Sequence, residues 1–273
     1  MEPNIDIVSV DHKIGNNDLR RLRTVSQWRM SDSTPHSPDA KSPVLRWSLL
    51  LPALLVPFVL SFYYFVFYPG TAFGNAFYMV HKVFLIAWPL LCILVFLREP
   101  MIDRSRPKRH LASLLPGTIF GLLVTGLLFL LLKTTPLGDV FSANEGKIVQ
   151  RIHDLDVADR FVEFALFISL IHSAMEEFYW RWFAFGQAKK LMPKGVAHLV
   201  AATGFALHHI VVLSQFFPIG WALLLGACVA IGGAFWSWQA DRYNSLLGPW
   251  FSHLLVDLGL MWVGWQALQG AGL

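Results

Sequence analysis

Charge is scarce in this chain. Only 15% of its 273 residues are Asp, Glu, Lys or Arg, against about 25% in an average soluble domain. That deficit argues against a water-soluble protein with a charge-coated surface. Cysteine is nearly missing as well. Cys92 and Cys228 each lie in an apolar run and read as small buried hydrophobes. Two isolated cysteines make neither a disulfide framework nor a Cys-based zinc site. No HExxH motif is present, and no internal repeat is visible. The start lacks the short basic region and apolar run of a secretory signal. The first long apolar run begins near Trp47.

Apolar residues are abundant instead. They make up 55% of the chain, with 22 Phe and 11 Trp, and the mean hydropathy is +0.50. The expected class is an all-α polytopic membrane protein. Its net charge of +4 is unevenly spread, so it informs orientation rather than nucleic-acid binding. The bilayer is the expected partner, and no nucleic acid is. Nothing in the sequence sets the oligomeric state.

Residues 1–46 read as a polar, disordered cytoplasmic tail. The Ser-, Pro- and Asp-rich stretch 31–42 cannot bury enough apolar surface to fold, and 17–30 could form a basic helix lying on anionic lipid. Seven apolar segments follow, near 47–68, 73–97, 111–132, 161–187, 195–216, 219–238 and 248–268. Each is close to the roughly 20 residues that span a bilayer. The first three (47–132) form an N-terminal group, and the last four (161–268) form a core. The connection 133–160 carries Ser142-Ala-Asn-Glu145, a capping-box pattern that predicts a short helix. Small residues at Gly226, Ala230 and Gly232-Gly233 predict close helix packing.

Sixteen of the 22 basic residues fall on the side of the N-terminus, and four fall on the opposite side. By the positive-inside rule the N-terminus is cytoplasmic and the C-terminus outside.

Several polar groups nevertheless lie inside the apolar segments: Lys82, His172, Glu176, Glu177, Arg181, His208, His209, His253 and Asp257. Ionisable groups at such depth cost about 2.5–3.5 kcal/mol each on insertion scales, so they need partners and a purpose. Glu177 and Arg181 are four apart and predict an intrahelical ion pair. Glu176 lies about 100° further round the helix and is left without that partner. A carboxylate so placed suits general acid/base work. His172 shares a face with Glu176 and is a candidate neighbour. His253 and Asp257 share a face, as do Phe205 and His209. His172 and His208 read as packed histidines, and Lys82 as a structural counter-ion for Asp257 or Glu177.

Glu176-Glu177-x-x-x-Arg181, Phe205-x-x-x-His209 and His253-x-x-x-Asp257, in that order, resemble the three motifs of the CPBP intramembrane proteases. This family comprises CAAX proteases and bacteriocin-processing enzymes, is also called Abi, and includes the Rce1-like endopeptidases. The resemblance covers about 160–268. It implies a glutamate-dependent endopeptidase acting on a membrane-associated or lipid-anchored protein, with no cofactor. Glu176 and His209 would activate water, His253 and Asp257 would stabilise the oxyanion, and Glu177 and Arg181 would hold the glutamate helix. Asp257 stands where the family has Asn or Asp. An ionised Asp cannot donate a hydrogen bond, so orienting His253 is its expected task. Trp182 replaces a Gly common in bacterial members. Family base rates point to a bacterial cytoplasmic membrane.

Three alternatives stay open. Glu176, His209 and His253 could bind zinc and leave a position for water. The chain could be a non-catalytic immunity or scaffold protein. A proton-relay transporter is a further reading, though no paired broken helices support it. Straight helices would also leave His253 nearer the inner surface than Glu176.

Overall fold

Ser42 and Pro43 open the first helix. The Ser42 hydroxyl accepts from the Val44 amide at 3.2 Å and Pro43 fills the first helical position, where its missing N–H costs nothing. The structure, a computed structural model, describes residues 41–101 and 107–270. The proposed lipid-surface helix at 17–30 lies outside the described residues, as does the rest of the tail before 41.

Eight helices make up the described chain, and no strand occurs among the described residues. They are α1 (Pro43–Phe67), α2 (Ala72–Leu97), α3 (His110–Thr134), α4 (Pro136–Asp154), α5 (161–188), α6 (Lys194–Phe216), α7 (Ile219–Tyr243) and α8 (Leu247–Gln269). Helices satisfy their backbone hydrogen bonds internally, which an apolar bilayer demands. All seven apolar segments of the sequence are therefore helical. Five of them, α1, α2, α3, α6 and α7, combine the length and hydropathy to cross a membrane. The structure supports a polytopic protein without establishing the count of seven.

Two boundaries differ from expectation. Arg46 belongs to α1 and not to the polar tail. Helix α4 starts at Pro136, so the Ser142–Glu145 capping pattern lies inside it. Thr135 caps it instead, accepting from the Leu137 amide at 3.3 Å. A capping Thr followed by Pro supplies both a cap and a fixed φ, and so starts the helix earlier.

Helix α5 is the centre of the fold. It alternates α-wound and π-wound turns, with π turns at Phe167–His172 and Phe178–Ala184 flanking the α turn Ser173–Glu177. Its aromatic residues Tyr179, Trp180 and Phe183 are fully buried with Leu50 of α1, Leu85 of α2 and Phe205 of α6. A second apolar cluster, built on Leu132, Leu137, Phe141, Val263 and Ala267, ties α3, α4 and α8 together.

Gly226 and Gly233 act as expected, whereas a Cβ on Gly232 would meet only Trp236 of the same helix, at 3.9 Å. A Cβ on Gly226 would collide with the Ile210 side chain, so α7 meets α6 there at glycine distance. Gly117 and Gly248 let α3 and α8 touch through backbone, and the Gly248 amide donates to the Ser113 hydroxyl at 3.1 Å. Cys92 is buried, but Cys228 is exposed on α7, a correction to its reading as a core residue. An apolar run in a membrane helix can face lipid as readily as protein.

One end of the bundle is tied by charge. Arg46 donates to Glu99 at 2.6 Å and to Gln187 at 2.7 Å, while Lys190 donates to Glu99 at 2.6 Å. The beginning of α1 and the ends of α2 and α5 are thus joined. Burial lifts the Glu99 carboxyl, but hydrogen bonds from Lys190, Arg46 and Gln187 outweigh it and hold the group below the usual carboxylate range. Lys189 and Lys194 both reach Asp241, at 3.1 and 2.9 Å, and pin α7 beside this end.

Candidate active site

The α turn of α5 between its two π turns carries Glu176 and Glu177, both buried. A π turn widens the helix locally and is often found at functional sites. Around this turn α2, α6 and α8 contribute Lys82, the His208-His209 pair, and His253 with Asp257.

Glu177 and Arg181 pair as the spacing predicts. Arg181 Nε lies 3.2 Å from Glu177 Oε2, with both side chains 1% exposed. Among the described residues the guanidinium has no hydrogen-bond acceptor. It lies over the Phe205 ring at 4.2 Å and the Trp236 ring at 5.0 Å, so aromatic faces share the task of holding the charge.

Glu177 also faces α8. Its Oε1 accepts from Nδ1 of His253 at 2.9 Å. The other nitrogen of that ring, Nε2, is 3.7 Å from Glu176 Oε2 and 3.6 Å from Asp257 Oδ1. His253 is therefore bracketed by three carboxylates. The expected divergence of Glu176 and Glu177 is corrected here, because the ring is wide enough for both to reach it. Asp257 touches His253 as anticipated, but the shorter orienting contact comes from Glu177. Trp236 stacks on the ring at 4.4 Å between centroids and fixes its plane. The contact also places Glu176 and His253 side by side, which removes the mismatch of a straight-helix estimate.

Among the described residues Glu176 has no Lys or Arg ion pair, but it has imidazole partners. His208 Nε2 donates to its Oε1 at 3.1 Å, and His172 Nε2 lies 3.5 Å from the same oxygen. His209 donates from Nδ1 to the Phe205 carbonyl at 2.8 Å. Since Nδ1 carries the proton, Nε2 of neutral His209 holds a lone pair. Glu176, His208 and His209 each have one ligand-type atom, all within 4.8 Å of one another.

His208, read from the sequence as a packed histidine, is buried and makes its hydrogen bond to Glu176. The Phe205 spacing selects His209, and the structure sets that residue against the Phe205 carbonyl and its neighbour against Glu176. Adjacent helical residues point about 100° apart, so both can border one carboxylate. Lys82 was expected to meet Asp257 or Glu177. Its Nζ instead lies 3.1 and 3.3 Å from the two nitrogens of His172 and 4.6 Å from the centre of the Tyr78 ring. Trp182, the departure from the family pattern, stacks on Phe178 at 4.7 Å and donates to the Met101 carbonyl at 3.2 Å.

A helical membrane protein with a buried carboxylate–imidazole centre is the class that this fold and site define. Residues 159–259 match the family described as Type II CAAX prenyl endopeptidase Rce1-like. That segment is an Rce1-like domain, in keeping with the CPBP resemblance, and it contains α5, α6, α7 and the first half of α8. Comparison with curated proteins and with solved structures found no match.

Proposed function

We propose that the chain is a glutamate-dependent intramembrane endopeptidase that hydrolyses a peptide bond in a membrane-associated or lipid-anchored protein. The Rce1-like domain supports the protease class. One observation carries the mechanism. Glu176 Oε1 is held by His208 at 3.1 Å, while Oε2 is turned towards His253 Nε2 at 3.7 Å, too long for a hydrogen bond. One carboxylate oxygen is thereby fixed and the other is left for chemistry.

In this reading Glu176 takes a proton from water, with the lone pair of His209 helping to orient it. The hydroxide attacks the scissile carbonyl carbon. The developing oxyanion is met by Nε2–H of His253, a proton the ring carries as imidazolium while Nδ1 donates to Glu177. A preorganised donor of this kind supplies roughly 2.7–4 kcal/mol. As the C–N bond breaks, the proton passes from Glu176 to the leaving amine. Asp257 and Glu177 orient His253 and do not touch substrate. The basic residues on the side of the N-terminus support a cytoplasmic position for that side, and the substrate chain would enter from the membrane around the site.

A second reading follows from the convergence of Glu176, His208 and His209. This donor set suits zinc, though it contains His208 where the sequence pointed to His253. Peptide cleavage by purified protein in liposomes, with and without 1,10-phenanthroline, separates the two. Cleavage that persists with no bound metal by elemental analysis supports the glutamate reading. Loss on chelation and recovery on adding zinc supports the metal reading.

A further inference from the structure

Behind His208 two buried polar atoms have no hydrogen-bond partner among the described residues. They are Nδ1 of His208 and Nε2 of His81, on side chains whose residues are 4% and 1% exposed. The two rings are neighbours, edge to face with centroids 6.1 Å apart. A buried polar atom without a partner costs about 1–3 kcal/mol, so two on adjacent rings call for one explanation.

Their proton roles are complementary. His208 donates from Nε2 to Glu176 at 3.1 Å, so its Nδ1 holds a lone pair and needs a donor. Nδ1 of His81 lies 3.3 Å from the Tyr64 hydroxyl. If that hydroxyl donates, His81 carries its proton on Nε2 and supplies the donor that His208 lacks. With this tautomer a single water can accept from His81 Nε2 and donate to His208 Nδ1. Trp180 lies parallel to the His208 ring, with centroids 5.9 Å apart and 6° between planes, and packs against one side of it.

We propose that His81, set by Tyr64, is a positioning residue that fixes His208 as an Nε2–H donor to Glu176, through one water held between the two imidazoles. Buried waters commonly bridge pairs of otherwise unsatisfied groups in this way. The chain runs from the Tyr64 hydroxyl through His81, the water and His208 to Glu176. It joins α1, α2 and α6 to α5, and it keeps Oε1 occupied so that Oε2 is the reactive oxygen. The inference rests on Glu176 acting as the base.

The test uses the full chain in liposomes. His81→Phe should lower kcat by roughly tenfold, the lower end of effects on residues that orient an active group, with KM and the unfolding temperature unchanged. His81→Gln, which keeps an N–H near the same place, should recover most of that loss. Tyr64→Phe removes one hydroxyl and should give a smaller loss in the same direction. Histidine-15N NMR reads the tautomer independently of turnover, with the His208 signals identified by their loss in His208→Asn. They should report protonated Nε2 in the wild type and a mixture in His81→Phe. Unchanged His208 signals in His81→Phe, or a kcat within twofold of wild type, would overturn the proposal. If Glu176→Gln cleaved as well as wild type, the reading of Glu176 would fall instead, and the NMR result would still decide the link between His81 and His208.

Discussion

Nδ1 of His253 lies 2.9 Å from Oε1 of Glu177. This contact gives the second glutamate of the pair two tasks, since its other oxygen faces Arg181 at 3.2 Å. Glu177 therefore compensates a buried cation and orients a proposed oxyanion donor at once, whereas the close contacts of Glu176 among the described residues are imidazoles.

The two glutamates should accordingly respond differently to the same substitution. Glu177→Gln leaves the Arg181 charge without its counter-ion, and breaking such a buried pair costs about 3–5 kcal/mol. Glu176→Gln keeps an acceptor for His208 and should cost far less. Thermal unfolding of both variants in one detergent checks this. A smaller loss for Glu177→Gln than for Glu176→Gln would contradict the division.

Arg181→Lys should also destabilise, although the charge is retained. The planar guanidinium lies over Phe205 and Trp236, and an ammonium cannot repeat that stacking. A loss of about 1–2 kcal/mol is expected, the scale of a desolvated cation–π contact. Equal stability of Arg181→Lys and wild type would show that charge alone suffices.

Glu99 makes part of the stability pH-dependent. Its carboxyl is held below the usual range in the folded protein, so the folded state prefers the ionised form. That contribution is complete above the unfolded value of about 4.3 and fades as pH falls through the lower folded value. Glu99→Gln should lower stability by about 1 kcal/mol at pH 7, the upper range for partly exposed pairs. The difference from wild type should shrink in melting curves recorded below pH 4. A constant difference would remove Glu99 from that pH response.

The glycine contacts predict different rescue behaviour. A Cβ at Gly226 meets the Ile210 side chain, whereas one at Gly248 meets the Ser113 backbone carbonyl. Gly226→Ala should cost about 1–3 kcal/mol and be largely repaired by Ile210→Ala. Neighbours in contact are expected to be non-additive in this way. Gly248→Ala has no side chain to trim on the carbonyl side and should resist such repair. Additive losses for Gly226→Ala and Ile210→Ala would argue against the packing.

Much of this was legible in the sequence, for identifiable reasons. The pairs Glu177–Arg181 and His253–Asp257 follow from a spacing of four on a helix, and the structure has contacts at both. The apolar segments emerged from hydropathy because only helices satisfy their backbone within lipid. The choice between His208 and His209 was less accessible. It depends on how α6 is rotated against α5, which contacts such as Gly204 with Trp180 help to set. The convergence of Glu176 and Glu177 on His253 depends on the placement of a third helix. Cys228 was misplaced because apolar patterning does not separate lipid-facing from core-facing positions.

The most direct measurement is cleavage of a lipid-anchored peptide by wild type and by Glu176→Gln, at equal protein in identical liposomes. The account predicts that wild type cleaves and that Glu176→Gln, with near-normal unfolding, loses at least about a hundredfold in kcat, the lower range for removing a general base. Equal cleavage by the two proteins would contradict it.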